Sequence, residues 1–187
     1  VGDAMPYAKE INVATVNGSY TNDNGAISMD AQVGGVHLVV DGLVTPNSNL
    51  NMDYRHVDGT TRIIVTAPYE AGSNVMNAFT GEFINGIDGE IISIEAADVA
   101  GNPIALKNIP ANYELSQNYP NPFNPGTKID FSMPAAGSYE IVIYNVAGQV
   151  VQVHNGSADA GYHTYEWDAS ELASGVYLYR FTTDNFS

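Results

Sequence analysis

The chain has no cysteine, few cations, a single tryptophan and no long apolar run. Without cysteine it holds no disulfide, no thiolate nucleophile and no cysteine-ligated zinc. Only 6 basic residues stand against 21 acidic ones, a net charge of −15. The imbalance runs along the whole chain: residues up to Asn112 carry 13 acids and 4 bases, a balance of −9, and the remainder 8 and 2, a balance of −6. Both parts repel phosphate backbones, so no nucleic-acid partner is expected. Anionic membranes are disfavoured for the same reason. No stretch of about 18 apolar residues occurs, so no helical membrane-spanning segment is expected. Helical periodicity is nearly absent too. At 44% hydrophobic the chain is nonetheless too apolar for disorder, and its 187 residues suffice for one large or two small β domains.

Short runs of β-branched and aromatic residues recur, separated by Gly, Asn, Asp and Pro, the spacing of sandwiches and barrels. Strands are expected over Lys9–Val16, Ala26–Gln32, Val36–Asp41, Leu50–Tyr54, Arg62–Ala67, Glu90–Ala96 and Pro103–Leu106. Turns are expected at Asn17-Gly18, Asn24-Gly25, Gly34-Gly35, Asp58-Gly59, Asp88-Gly89 and Gly101-Asn102, because these residue types tolerate positive φ. Ile27 and Met29 alternate with Ser28 and Asp30. Ile91, Ile92 and Ile94 suggest a strand buried on both sides at one point. Residues 70–85 read as a loop or short helical turn with Phe79 and Phe83 as apolar anchors. The second half carries strands over Lys128–Ser132, Ser138–Asn145, Val150–His154, His163–Asp168 and Val176–Phe181, with a hairpin turn at Ala147-Gly148 and Trp167 in the core. The fold class is therefore all-β, two consecutive sandwiches: residues 1–109, a proline-rich junction and entrance over 110–126, and residues 127–187.

The junction is the most distinctive stretch. Tyr119, Pro120, Asn121, Pro122, Phe123, Asn124 and Pro125 follow one another. Three prolines in seven residues can join neither a helix nor a central strand, since each lacks an N–H and has a fixed φ. Beyond them come Thr127-Lys128-Ile129-Asp130-Phe131, then Ile143 to Val151 with Gly148, then Ala160-Gly161-Tyr162-His163, Trp167-Asp168 and Gly175-Val176-Tyr177. In this order the motifs resemble the C-terminal sorting domain of type IX secretion substrates. The resemblance covers about residues 113–187. It implies an Ig-like sandwich, recognition by the secretion machinery, and a protein secreted from, or held at the cell surface of, a Gram-negative bacterium. Family members usually continue with one further strand, so the resemblance also implies a sandwich with an open edge, and such edges recruit strands. The first half resembles, less specifically, the cohesin-like or Ig-like sandwiches that precede such domains, through Gly34 to Leu38, Ile63-Ile64-Val65 and Ala97 to Ile104.

Little in the sequence points to catalysis. His37, His56, His154 and His163 show no metal-ligand spacing, and no Gly-x-Ser-x-Gly occurs. Glu82, Glu90 and Glu95 are candidates for a carboxylate pair, but no enzyme is expected. Calcium is the most plausible ion, with Asp23, Asp98 and Asn102 as candidate oxygen ligands, although none follows EF-hand spacing. The reading is a non-catalytic extracellular region serving secretion, surface attachment or assembly, including as a structural filament subunit that pairs with other copies of itself by strand exchange. The alternative is a carbohydrate-binding module using Tyr54, Tyr69 and Phe79 as an aromatic platform.

Overall fold

The computed structural model describes residues 16–186, all strand and loop, with no helix among them. The chain divides into two compact units that part at Lys107 and Asn108, with the short stretch Thr21–Asn24 grouped with the second. The all-β, two-sandwich architecture is the one the sequence implies.

The first unit contains β1 (Val16–Asp23), β2 (Ala26–Val33), β3 (Gly35–Asp41), β4 (Asn51–Val57), β5 (Thr60–Thr66), β6 (Phe79–Ile84), β7 (Ile91–Ala97) and β8 (Pro103–Asn108). They hydrogen-bond in the order β4-β5-β3-β7-β8-β1-β2-β6. Although β7, β8 and β1 lie between β3 and β2 in that order, Val36, Leu38 and Val40 of β3 share one core with Ile27, Met29 and Val33 of β2. The sheet therefore curls so that its two halves face each other, and alternation sends every second side chain inward. Ile63 and Val65 of β5 and Phe79 and Phe83 of β6 complete the packing. Each such Val, Leu or Ile contributes about 1.5–3 kcal/mol through burial.

Several details differ from expectation. The Lys9–Val16 strand lies outside the described residues except for Val16, which opens β1. Asn17-Gly18 is not a turn but part of β1. A Cβ on Gly18 would stand 2.7 Å from the Ala31 Cβ and 3.1 Å from the Ile104 Cγ2, so this glycine permits close strand contact. Gly34-Gly35 and Asp88-Gly89 join strands that are not neighbours, and so are corners, not hairpins. Asn24-Gly25 and Asp58-Gly59 are hairpin turns with all four φ values positive. Residues 70–85 hold no helical turn; β6 lies there, its alternation broken by Gly81 at φ 77° and by register shifts against β2. A bulge opposite Val39 and Val40 also resolves the isoleucine cluster. Ile91 and Ile94 both pack on the core, while Ile92 is 56% exposed, so β7 is not buried on both sides.

The second unit has two three-stranded sheets. One orders β13 (Gly161–Asp168), β10 (Gly126–Met133) and β9 (Glu114–Leu115); the other orders β12 (Val150–Ala158), β11 (Gly137–Asn145) and β14 (Tyr177–Thr183). Phe131 and Met133 of β10, Ile141 and Ile143 of β11, Trp167 of β13 and Phe181 of β14 form a single core. The Phe131 ring lies 4.8 Å from both Phe181 and Tyr139, so aromatic packing dominates.

Candidate functional site: the proline-rich entrance

The entrance segment is tied to the second sandwich at every step. Tyr119 exchanges both backbone hydrogen bonds with Lys128, at 2.9 and 3.0 Å, which lays the segment along β10. Thr127 is paired with Trp167 across β10 and β13 and is 4% exposed. Its hydroxyl donates to the Pro120 carbonyl at 2.9 Å and accepts from the Asn118 Nδ2 at 3.0 Å. A buried hydroxyl with partners on both sides is the satisfied state that burial demands. The Asn118 N–H donates to the Tyr179 phenol oxygen at 2.9 Å, and that phenol donates to the Ser116 carbonyl at 2.7 Å. Burial pushes the Tyr179 phenol up from its ordinary pKa, and the Asn118 N–H opposes that shift.

Phe123 anchors the middle of the segment, its ring 5.3 Å from that of Trp167. Tyr177 meets the same indole edge-on, also at 5.3 Å. The indole N–H donates to the Gln152 Oε1 at 2.9 Å, and the Gln152 Nε2 donates to the Tyr165 hydroxyl at 3.0 Å. Pro125 closes the segment by accepting from the Ala169 N–H at 3.1 Å. Asp168 caps the following turn, its Oδ1 accepting from the Ser170 N–H at 2.9 Å. The Tyr177 hydroxyl donates to the Ala173 carbonyl at 2.6 Å. Asn121, Phe123, Asn124, Leu172, Ser174 and Tyr177 line an open cleft of about 530 Å³ between the entrance and the loop before β14. Tyr119, at 80% exposure, faces solvent.

The two motif glycines differ. Gly148 has φ 76° in the β11–β12 turn, where the Asn145 Oδ1 accepts from the Ala147 and Gln149 N–H groups. A side chain there would be strained. Gly175 has no positive φ and open space where a Cβ would stand.

The other candidates lie on separate strands and loops of the first unit and the second. Asp23 accepts from the Asn24 Nδ2 in the β1–β2 turn. Asp98 accepts from the Ala100 N–H, the Asn102 N–H and the Asn102 Nδ2, all within its own loop. Those bonds, the Asn102 side chain first, hold its carboxyl below the ordinary range. The Asp98 carboxylate is thus engaged by its own loop together with Asn102, while Asp23 lies in the separate β1–β2 turn. Among the described residues no three of His, Asp or Glu are grouped to hold a metal. Glu82 accepts from Asn85, and Glu95 lies 3.7 Å from the His37 Nδ1. His56 meets the Thr61 hydroxyl at 3.0 Å, His154 stacks on Tyr165 and His163 stacks on Phe131. The aromatic platform does not form: Phe79 is 8% exposed and packs on Phe83 in the core, leaving Tyr54 and Tyr69 without it.

Sequence reading missed Thr127, Asn118, Tyr179 and Gln152 as organisers of the entrance. Alternation with Ile129 and Phe131 already puts Thr127 on the inward face, but the partners of its hydroxyl follow only from the fold.

Residues 117–187 match the family described as the secretion system C-terminal sorting domain. Such a domain marks proteins that Gram-negative bacteria secrete or export to the cell surface, and it implies recognition by the type IX secretion machinery. No curated protein matches the chain. A solved structure titled "Cytokine receptor complex - Crystal form 2" is 12% identical over 88% of this chain and 86% of that chain, with a TM-score of 0.22, too low to support any argument. The proline entrance and the sandwich it is stitched to, residues 117–187, are a type IX secretion system C-terminal sorting domain.

Proposed function

We propose that the sorting domain is read as a folded unit, and that the first sandwich is a non-catalytic module exported with it for surface attachment or assembly, including as a subunit of an extracellular filament. The observation that carries this reading is the entrance itself. Its hydrogen bonds through Thr127 and its Phe123–Trp167 contact give the motif one defined shape, a shape a receptor can read. The first unit supports a passive role through its own geometry, since Glu82 and Glu95 are engaged by Asn85 and His37 on separate strands.

The test uses the full chain with an N-terminal reporter in a bacterium that has the type IX machinery and in a strain that lacks it. The reporter is expected outside the cell only in the first strain. The Phe123→Ala, Thr127→Val double variant is expected to retain it inside. Equal export of the variant overturns the folded-signal reading. Sedimentation of the secreted product as a monomer at all concentrations overturns the filament role.

A further inference from the structure

Two distant stretches of the sorting domain meet at one phenol. Between Ser116 and Tyr119 the chain runs beside β10, and part of its backbone bonds there. The Ser116 N–H donates to the Asp130 carbonyl at 2.9 Å, and Tyr119 exchanges both its bonds with Lys128. The Ser116 carbonyl and the Asn118 N–H are met instead by Tyr179 of β14. Its hydroxyl donates to the first at 2.7 Å and accepts from the second at 2.9 Å. A phenol can do both at one oxygen, because that oxygen carries a donor and acceptor lone pairs together. It takes the part that the backbone of a neighbouring strand would play. A phenylalanine ring would fill the same space and serve neither group.

The strand register explains how the ring arrives there. Tyr179 is paired with Ile143 across β11 and β14 and alternates with Phe181, so it packs inward on the second core. Its two bonds join residues 61 and 63 positions apart, so they exist only when β14 has docked. Contacts of such long separation carry the largest chain-closure cost. From Asn118 the tie passes into the motif: the Asn118 Nδ2 donates to the Thr127 hydroxyl at 3.0 Å and to the Pro120 carbonyl at 3.3 Å. The loop leading into β14 belongs to the same arrangement, since Leu172, Ser174 and Tyr177 line one cleft with Asn121, Phe123 and Asn124.

We propose that Tyr179 is a positioning residue for the sorting signal, its hydroxyl making the shape of the Tyr119–Pro125 motif conditional on the docking of β14. The export machinery then engages the motif only once that strand is in place. A chain in which β14 is undocked carries the same residues without the shape. This rests on the reading that the sorting domain is recognised folded, and it adds the contact that couples folding to recognition.

The test compares two variants of the full chain with its N-terminal reporter. Tyr179→Phe removes the hydroxyl alone. Ile141→Val trims a fully buried side chain of β11 that takes no part in the entrance bonds, and so lowers stability with the hydroxyl in place. In hydrogen exchange of the purified Tyr179→Phe protein, the Asn118 backbone N–H should lose about tenfold more protection than the amides of β11, the scale of one lost hydrogen bond. Most of the Tyr179→Phe reporter should stay inside the cell, whereas Ile141→Val should be exported as the parent is. Export of Tyr179→Phe at the parent level overturns the proposal. Equal retention of Ile141→Val overturns it too, because lowered stability alone would then explain the loss. An unaltered protection ratio at Asn118 does the same. The Phe123→Ala, Thr127→Val double variant separates this inference from the reading beneath it. If the double variant stays inside while Tyr179→Phe is exported, the signal is read folded but Tyr179 does not set it. If both are exported, recognition of a folded signal fails as well.

Discussion

Thr127 places one buried hydroxyl among the ties that hold the entrance. Replacing it with valine keeps the volume but removes the hydroxyl between the Pro120 carbonyl and the Asn118 amide, leaving them only their own longer bond of 3.3 Å. The expected loss is about 1–3 kcal/mol in urea unfolding, and Thr127→Ser should recover most of it. The Trp167 indole, at 3% exposure, has a larger share: Trp167→Ala should cost about 3–5 kcal/mol. Asp98 gives a prediction of a different kind. Its folded pKa is depressed, so its contribution is present above the unfolded value of about 3.9 and is lost as pH falls through the lower folded value. The Asp98→Asn variant should therefore lose less stability than the parent on acidification below about pH 4, measured by thermal melts across pH. Equal acid sensitivity would show that the Asp98 turn contributes nothing to it.

At the scale of elements, legibility in the sequence followed regularity. The strands of the second unit were readable because Ile129, Phe131 and Met133, or Tyr177, Tyr179 and Phe181, alternate without interruption. β6 was not readable, because Gly81 breaks its alternation with a positive φ and its apolar residues then read as loop anchors. The three isoleucines of β7 misled for a related reason: a bulge puts Ile91 and Ile94 on one face, which no strict period of two allows. Asn17-Gly18 has the composition of a hairpin turn, yet Gly18 serves the close approach of β1 to Ala31. Gly18→Val should therefore destabilise the first unit by about 1–3 kcal/mol through overpacking, whereas a turn glycine with open space around it would tolerate a Cβ except for its backbone strain. Thermal melts that leave the Gly18→Val midpoint unmoved would mean that β1 shifts to accept the side chain. The entrance motif was legible by composition alone, since three closely spaced prolines exclude regular structure. The tie from Tyr179 to Ser116 and Asn118 was not, because it depends on where β14 docks.

For the whole molecule, the two cores have no residue in common. Leu38, Ile63 and Phe83 belong to one; Phe131, Ile143 and Phe181 belong to the other. Cooperativity in small domains arises within a shared core, so a chain with two cores need not melt in one step. The single tryptophan makes the distinction measurable, because Trp167 lies in the second core and its fluorescence reports on that unit. Leu38→Ala, at a site with 0% exposure, should cost about 2–5 kcal/mol in the first unit and leave the fluorescence transition in place. Ile143→Ala, at 1% exposure, should shift the fluorescence transition by a similar energy and leave the other calorimetric transition where it was. If Leu38→Ala displaces the tryptophan transition as far as Ile143→Ala does, the two sandwiches fold as a single cooperative unit. The sorting domain could not then be presented to the export machinery independently of the module it carries.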